Sequence, residues 1–190
     1  MSNRLRPSKA DLAAAVGGRI PDVIGPDLDA LFCGINPGLY SAAIGHHFGR
    51  PGNRFWPALH AGGFTDQVLS PWDDHLLLGL RLGVTNLVER ATAAASELTG
   101  PELVAGAEAL ERKARRFAPR WIVILGIGAY RTGFQRPKAA LGLQEHLVAG
   151  SRIWVLPNPS VLNAHHQPVH LAAAFTELRR AVGVTPSPAR

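Results

Sequence analysis

Ala30-Leu31-Phe32-Cys33-Gly34-Ile35-Asn36-Pro37-Gly38 is an apolar run that stops in a turn. Its uncharged part is short for a helix and suits a strand buried on both faces. Pro37 restricts the residue before it, and Gly38 lets the chain turn sharply. The same pattern returns further along. Trp121-Ile122-Val123-Ile124-Leu125 runs into Gly126-Ile127-Gly128, and Ile153-Trp154-Val155-Leu156 runs into Pro157-Asn158-Pro159-Ser160. Val84–Val88 is a shorter strand candidate.

Helical spacing fills the gaps. Asn53–Ala61 carries Phe55, Trp56 and Leu59, and Asp73–Leu80 follows a Ser70-Pro71 start signal. Glu102–Phe117 opens with Thr99-Gly100-Pro101, a cap with proline in the first turn. Its expected apolar face is Leu103, Ala107, Leu110 and Phe117, while Arg112, Lys113, Arg115 and Arg116 read as a solvated face near the helix C-terminus. A last helix follows Pro168, over about 169–181. Buried strands alternating with helices predict an α/β fold: a three-layer α/β/α sandwich whose central, mostly parallel sheet has about four to five strands. The expected divisions are a basic, partly ordered N-terminal arm over 1–28, with one or two helical turns at Leu12–Val16, a single domain over 29–182, and a tail over 183–190.

Composition bounds the function. The 190 residues are 46% hydrophobic and 18% charged, too apolar for disorder. No apolar run approaches the roughly 18 residues of a membrane-spanning helix, and 1–9 lacks an apolar signal core. The single cysteine, Cys33, excludes an internal disulfide, a cysteine-based zinc site and a protein-held iron–sulfur cluster. These features predict a cytoplasmic or nuclear, metal-poor protein. The net charge of +6, carried by 17 Arg and 3 Lys, suits a nucleic-acid partner but names no reaction.

Several motifs carry less than they suggest. Gly126-x-Gly128 follows a strand as a dinucleotide turn would, but the next glycine is Gly133, so tight strand–helix packing explains it better. The pairs His46-His47 and His165-His166 lack acidic or cysteine partners at ligand spacing, and surface or nucleic-acid contacts are expected for them. No nucleophile elbow exists, and Cys33 sits inside an apolar strand.

The strand-end turns are more specific. Gly34-Ile35-Asn36-Pro37-Gly38, then Phe48 and Gly52-Asn53-Arg54-Phe55-Trp56, then Thr85-Asn86-Leu87-Val88-Glu89-Arg90, and finally Asn158-Pro159-Ser160-Val161-Leu162-Asn163 occur in that order. Together they resemble the mismatch-specific uracil/thymine-DNA glycosylases of the uracil-DNA glycosylase superfamily, over about residues 29–182. The resemblance implies a monofunctional glycosylase that hydrolyses the N-glycosidic bond of uracil or a related pyrimidine flipped out of mismatched DNA. It makes Asn36 the catalytic, water-orienting residue. Ile35, Ser41, Phe48 and Asn53 become base-binding, with Phe48 stacking on the ring and Ser41 beside its 5-position. Asn158, Ser160, Val161, Leu162, Asn163 and His165 become DNA-binding, with Leu162 as the wedge that fills the vacated stack. It further implies a monomer that acts on duplexes with G·U or G·T mismatches and needs neither metal nor cofactor. Only Lys9, Lys113 and Lys138 exist to support lyase chemistry, and none stands near a motif. Glu89 is a candidate assisting carboxylate, or else a structural partner of Arg54 or Arg90.

Two positions depart from the family pattern: Val161 stands where glycine is common, and Ala164 where bacterial relatives often have arginine. A β-branched residue stiffens the backbone beside the wedge, so relaxed selectivity for the opposite base is expected. The competing assignment is a non-catalytic nucleotide- or nucleic-acid-binding α/β module. A small-molecule hydrolase lacks any nucleophile–base pair.

Overall fold

The computed structural model describes residues 6–160 and 168–183. Its five strands are β1 (Ala30–Gly34), β2 (Leu82–Asn86), β3 (Trp121–Leu125), β4 (Gly142–Val148) and β5 (Ser151–Leu156). They form one sheet in the order β2-β1-β3-β5-β4; all neighbours are parallel except β4, which runs antiparallel to β5. Every residue of β1, β2 and β3 is buried, as expected of strands covered on both faces.

Alternation along the strands builds two cores. Phe32, Val123 and Trp154 point to the face covered by α3 (Phe55–Ala61), the 3-10 stretch Pro71–Leu80 and α6 (Pro168–Val182). Leu31, Cys33, Ile122, Ile124 and Val155 point to the face covered by α4 (Gly100–Phe117) and α5 (Ile127–Gly133). Phe32 is the centre of the first core: Phe55 and Phe64 meet it edge-on at 5.5 and 5.6 Å, and Phe175 stacks on it at 5.9 Å. Such pairs add about 0.5–1.5 kcal/mol each beyond the area they bury.

Several local expectations change. The helical pattern at 73–80 is a 3-10 helix starting at Pro71, locked by reciprocal Ser70–Asp73 capping. A short helix α2 (Leu39–Ile44) follows Gly38 directly. β4 had no apolar run to announce it; its residues alternate between half-buried and exposed, with Leu143, Glu145 and Leu147 outward, as befits an edge strand. On α4 the buried residues are Gly106, Ala107, Leu110 and Ala114. Phe117 is only half-buried, its ring beneath the Arg116 guanidinium at 5.0 Å. The basic run on α4 is largely satisfied within the fold, Lys113 by Asp22 at 2.6 Å and Arg115 by Glu111.

The segment before β1 is attached to the sheet. Helix α1 (Lys9–Ala14) buries none of its residues, but Val23 exchanges backbone hydrogen bonds with Val84 at 3.0 and 2.9 Å, and Leu28 is buried. Asp29 then receives Arg81 and Arg120 at 3.1 and 2.9 Å.

Helix α4 packs against the chain just past the carboxyl end of β2 through one glycine. A Cβ at Gly106 would collide with the Leu87 carbonyl, and it would stand 3.0 Å from the Leu87 carbonyl carbon. Backbone cannot step aside as a side chain can. Gly106→Ala is therefore expected to cost about 2–3 kcal/mol, lowering the midpoint of thermal unfolding by roughly 5–10 °C. An unchanged midpoint in a thermal melt would show that α4 is free to ride outward.

Candidate active site

The carboxyl ends of β1, β2, β3 and β5 face the same way, and ligands of such sheets bind beyond those ends. There the chain encloses a cavity of about 100 Å³ that opens to solvent. Ile35, Asn36, Ser41, Phe48, Asn53, Asn158 and Ser160 all line it. They come from three stretches of sequence, 35–41, 48–53 and 158–160, and the fold brings them together. Val161, Leu162, Asn163 and His165, together with Ala164, lie outside the described residues.

Asn36 is held by its nitrogen. Nδ2 donates to the Arg90 carbonyl at 3.0 Å and to Thr92 Oγ1 at 2.7 Å. Thr92 spends its own proton on the Ala94 carbonyl at 2.9 Å, so its oxygen can only accept from Asn36. Both amide protons are thus committed and the orientation of the amide is fixed. Oδ1 receives nothing from the described residues and is left as an acceptor in the cavity wall. The loop that holds it is tied in turn: Thr92 N–H donates to the Pro37 carbonyl at 3.1 Å, and Arg90 pairs with Glu102 at the start of α4.

Phe48 adopts a left-handed backbone, with φ of 53°. That conformation is uncommon for a bulky side chain and costs on the order of 1–2 kcal/mol, a strain kept where surrounding structure demands it. What demands it here is packing. The Phe48 ring stacks on Phe55 at 4.0 Å with 25° between planes, and a Cβ at Gly34 would stand 3.2 Å from the ring. One face of Phe48 is therefore supported by the core while its side chain borders the cavity. Its N–H donates to no described residue.

The neighbouring side chains are fixed by local hydrogen bonds. Ser41 is buried, and its Oγ accepts from Gly49 N–H at 2.9 Å, which leaves the hydroxyl proton for the cavity. Asn53 Oδ1 accepts from Phe55 N–H at 2.9 Å, turning the chain into α3. Asn158 Oδ1 likewise accepts from Ser160 N–H at 2.9 Å, and the Pro159 carbonyl accepts from Arg54 N–H at 3.1 Å. Gly126, with φ of 137°, lets Ile35 and Asn158 approach; a Cβ there would meet them at 3.1 and 3.7 Å. The Gly126 turn is packing at the floor of the site.

Two cavity residues escaped the sequence reading. His47, expected at the surface, is 1% exposed, and Asn86 at the end of β2 is also buried. His47 Nε2 lies 3.0 Å from the Pro21 carbonyl and Nδ1 lies 3.3 Å from Asn86 Nδ2. Burial holds its pKa below the usual histidine range. The available signal was weak: His47 sits one residue before Phe48, and Asn86 sits in a quoted motif, but only the fold makes them neighbours. His46, for which a surface or nucleic-acid contact was expected, is half-buried, 3.1 Å from Asp74 and edge-on to Trp72.

Other candidates resolve differently. Glu89 pairs with Arg19 at 3.1 Å and lies 3.7 Å from Lys113; it does not line the cavity, and its cations are not Arg54 or Arg90. Cys33 is wholly buried in β1, and burial pushes its thiol pKa upward, away from nucleophilic use. Among the described residues, no three His, Cys, Asp or Glu side chains cluster as a metal site.

Comparisons with known proteins agree with this fold. The solution NMR structure of a "putative Uracil DNA glycosylase" from Methanosarcina acetivorans has a similar fold, with a TM-score of 0.55. The match covers 86% of this chain and 99% of that one at 20% identity. A family model described as the uracil DNA glycosylase superfamily matches residues 21–179, which spans the sheet, the Asn36 turn and the cavity. The chain belongs to the uracil DNA glycosylase superfamily.

Proposed function

We propose that the protein is a monofunctional DNA glycosylase that removes uracil, and related pyrimidines, from DNA, G·U and G·T mismatches included. The observation that carries this is the Asn36 amide, whose two N–H bonds leave Oδ1 as a fixed acceptor in the cavity. A neutral amide is too weak a base to deprotonate water, but it can hold one in line with the sugar carbon. The glycosidic bond then breaks first. Its electron pair leaves with the base, and positive charge develops on the sugar, where the DNA phosphates stabilise it. The N–H groups of the Asn36 and Phe48 turns offer donors to the departing base, and preorganised donors of this kind contribute about 3–4 kcal/mol each. The held water adds to C1′, and its proton goes to the departing base or to solvent. Positioning supplies the rest of the acceleration.

Base extrusion is required because C1′ is inaccessible in the stack. Phe48, backed by Phe55, is the platform for the extruded ring, and Leu162 is the proposed wedge. The net charge of +6 and Arg50 on the cavity rim suit a polyanionic partner. The competing assignment to a nucleotide-binding module loses its main support, because Ile35 and Asn158 fill the space at Gly126.

Val161 and Ala164 lead us to propose further that selectivity for the opposite base is relaxed. The test is uracil release, scored as alkali-labile sites, from duplexes with guanine or adenine opposite and from single strands. Rates within about tenfold across the three substrates, or roughly 1.4 kcal/mol, are expected. A strict guanine requirement would contradict the relaxed selectivity, and no alkali-labile sites on any substrate would contradict the enzyme itself.

A further inference from the structure

β4 enters the sheet at the end where the cavity lies. Gly142 pairs with Val155, the residue before the last of β5, and Asn158 of the cavity wall follows shortly after Leu156. Residues 134–141, which join α5 to β4, therefore stand beside the cavity, one strand further toward the edge. Neighbouring strands lie about 5 Å apart.

This connection is tied down at many points. Gln135 turns the chain with a left-handed backbone, φ of 54°. Arg136 N–H donates to the Arg131 carbonyl at 2.9 Å, and Ala139 N–H to the Arg136 carbonyl at 3.0 Å. The Arg131 guanidinium donates twice to the Ala139 carbonyl, from Nε at 2.9 Å and from Nη2 at 2.7 Å. Gln144 Nε2 donates to the Ala140 and Gly142 carbonyls, both at 2.9 Å. Yet residues 135–138 are all exposed, so core packing does not account for the order.

What the turn presents is charge. Arg136 and Lys138 border an open groove of about 520 Å³ with Gln135, Gln144 and His146, and its lining carries one carboxylate, Glu145. Among the described residues, neither cation meets a carboxylate within ion-pair distance. Burial, and then the Arg136 charge, hold the His146 pKa below the usual histidine range, as a guanidinium leaning over β4 would do.

We infer that Arg136 and Lys138 form a second grip on DNA, holding phosphates of the duplex that flanks the extruded nucleotide on one side. The inference rests on the proposal that the cavity takes an extruded base. A duplex docked in that way crosses the carboxyl ends of the strands, and it presents one negative charge per about 1.7 Å of its axis. The planar donors of arginine suit a phosphate, and lysine adds a point charge. Because the backbone is already ordered, binding has only the two side chains to immobilise. Such contacts add affinity and fix register without reading sequence. Arg112 and Arg116 provide the contrast: α4 ends just before β3 begins, so these exposed cations lie toward the opposite end of the sheet.

Anisotropy titrations with a duplex carrying 2′-fluorodeoxyuridine opposite guanine, which resists hydrolysis, test the grip. Losing two phosphate contacts in Arg136→Gln/Lys138→Gln should lower the slope of log affinity against log salt by about 1.8. The advantage of the wild type then falls about tenfold between about 50 and 200 mM salt. Arg112→Gln/Arg116→Gln, with the same loss of charge, should keep the wild-type slope. Cutting the duplex close to the uracil on one side should erase the difference between wild type and Arg136→Gln/Lys138→Gln, and cutting the other side should preserve it. Equal slopes for those two proteins, the same drop in both double variants, or a difference that survives either cut would overturn the inference. So would a wild type that binds no DNA. The expected slopes without uracil release from an ordinary substrate would leave the grip standing and sink the glycosylase proposal.

Discussion

Asn36→Ala should slow uracil release by at least 10²–10³-fold while binding of uracil-containing duplex changes by less than about threefold. The size follows from what the side chain does. Positioned groups that act only as charge develops contribute about 3–4 kcal/mol, and loss of a water's orientation adds to that. Binding is spared because the phosphates are gripped elsewhere, by charge distributed over the surface. Alanine also leaves the Arg90 carbonyl and Thr92 Oγ1 without their donor, at a cost to stability of about 1 kcal/mol, so the fold persists. Single-turnover excision and a gel-shift titration measure the two quantities. A large loss of both together would mean that Asn36 holds the loop and not the water. The same hydrogen bonds explain why aspartate is not a simple improvement here: an ionised carboxylate would turn an oxygen toward the Arg90 carbonyl, where the amide now donates.

Phe48→Ala should reduce uracil release about 10- to 100-fold, and Phe48→Tyr should stay within about threefold of wild type. Stacking of a base on an aromatic face is worth about 1–3 kcal/mol, and this ring is held ready by Phe55 at 4.0 Å. Alanine keeps the strained left-handed backbone without the packing that enforced it, so the turn bearing the Phe48 N–H loses its register as well. Tyrosine preserves the face and places its hydroxyl at the ring edge. Excision rates with saturating enzyme separate this effect from weaker binding. Equal rates for Phe48→Ala and wild type would remove the platform from the mechanism.

Much of this site could be read before the fold was known because its chemistry sits in short turns with strong backbone signatures. Asn36-Pro37-Gly38 and Pro157-Asn158-Pro159 each end a buried strand, and β1, β3 and the Ile153–Leu156 part of β5 are uninterrupted apolar runs. β4 was invisible for the opposite reason: an edge strand with Gln144, Glu145 and His146 at its centre has no apolar run to show. His47 looked like a surface residue because its partners, the Pro21 carbonyl and Asn86, are 26 and 39 positions away and lack any local spacing rule. The holding of Asn36 by Arg90 and Thr92, 54 and 56 positions away, was hidden in the same manner. Local turns were legible; long-range polar satisfaction required the tertiary structure.

The most direct test is quantitative recovery of free base. Wild-type and Asn36→Ala protein are incubated in excess with a duplex bearing one uracil opposite guanine, and released uracil is measured by mass spectrometry beside alkali-labile strand. The wild type is expected to yield the two products in equal amounts, with the strand intact until alkali is added, and Asn36→Ala to yield neither in the same interval. Free uracil released at wild-type rate by Asn36→Ala, or no free uracil from the wild type, would contradict hydrolysis by an Asn36-held water.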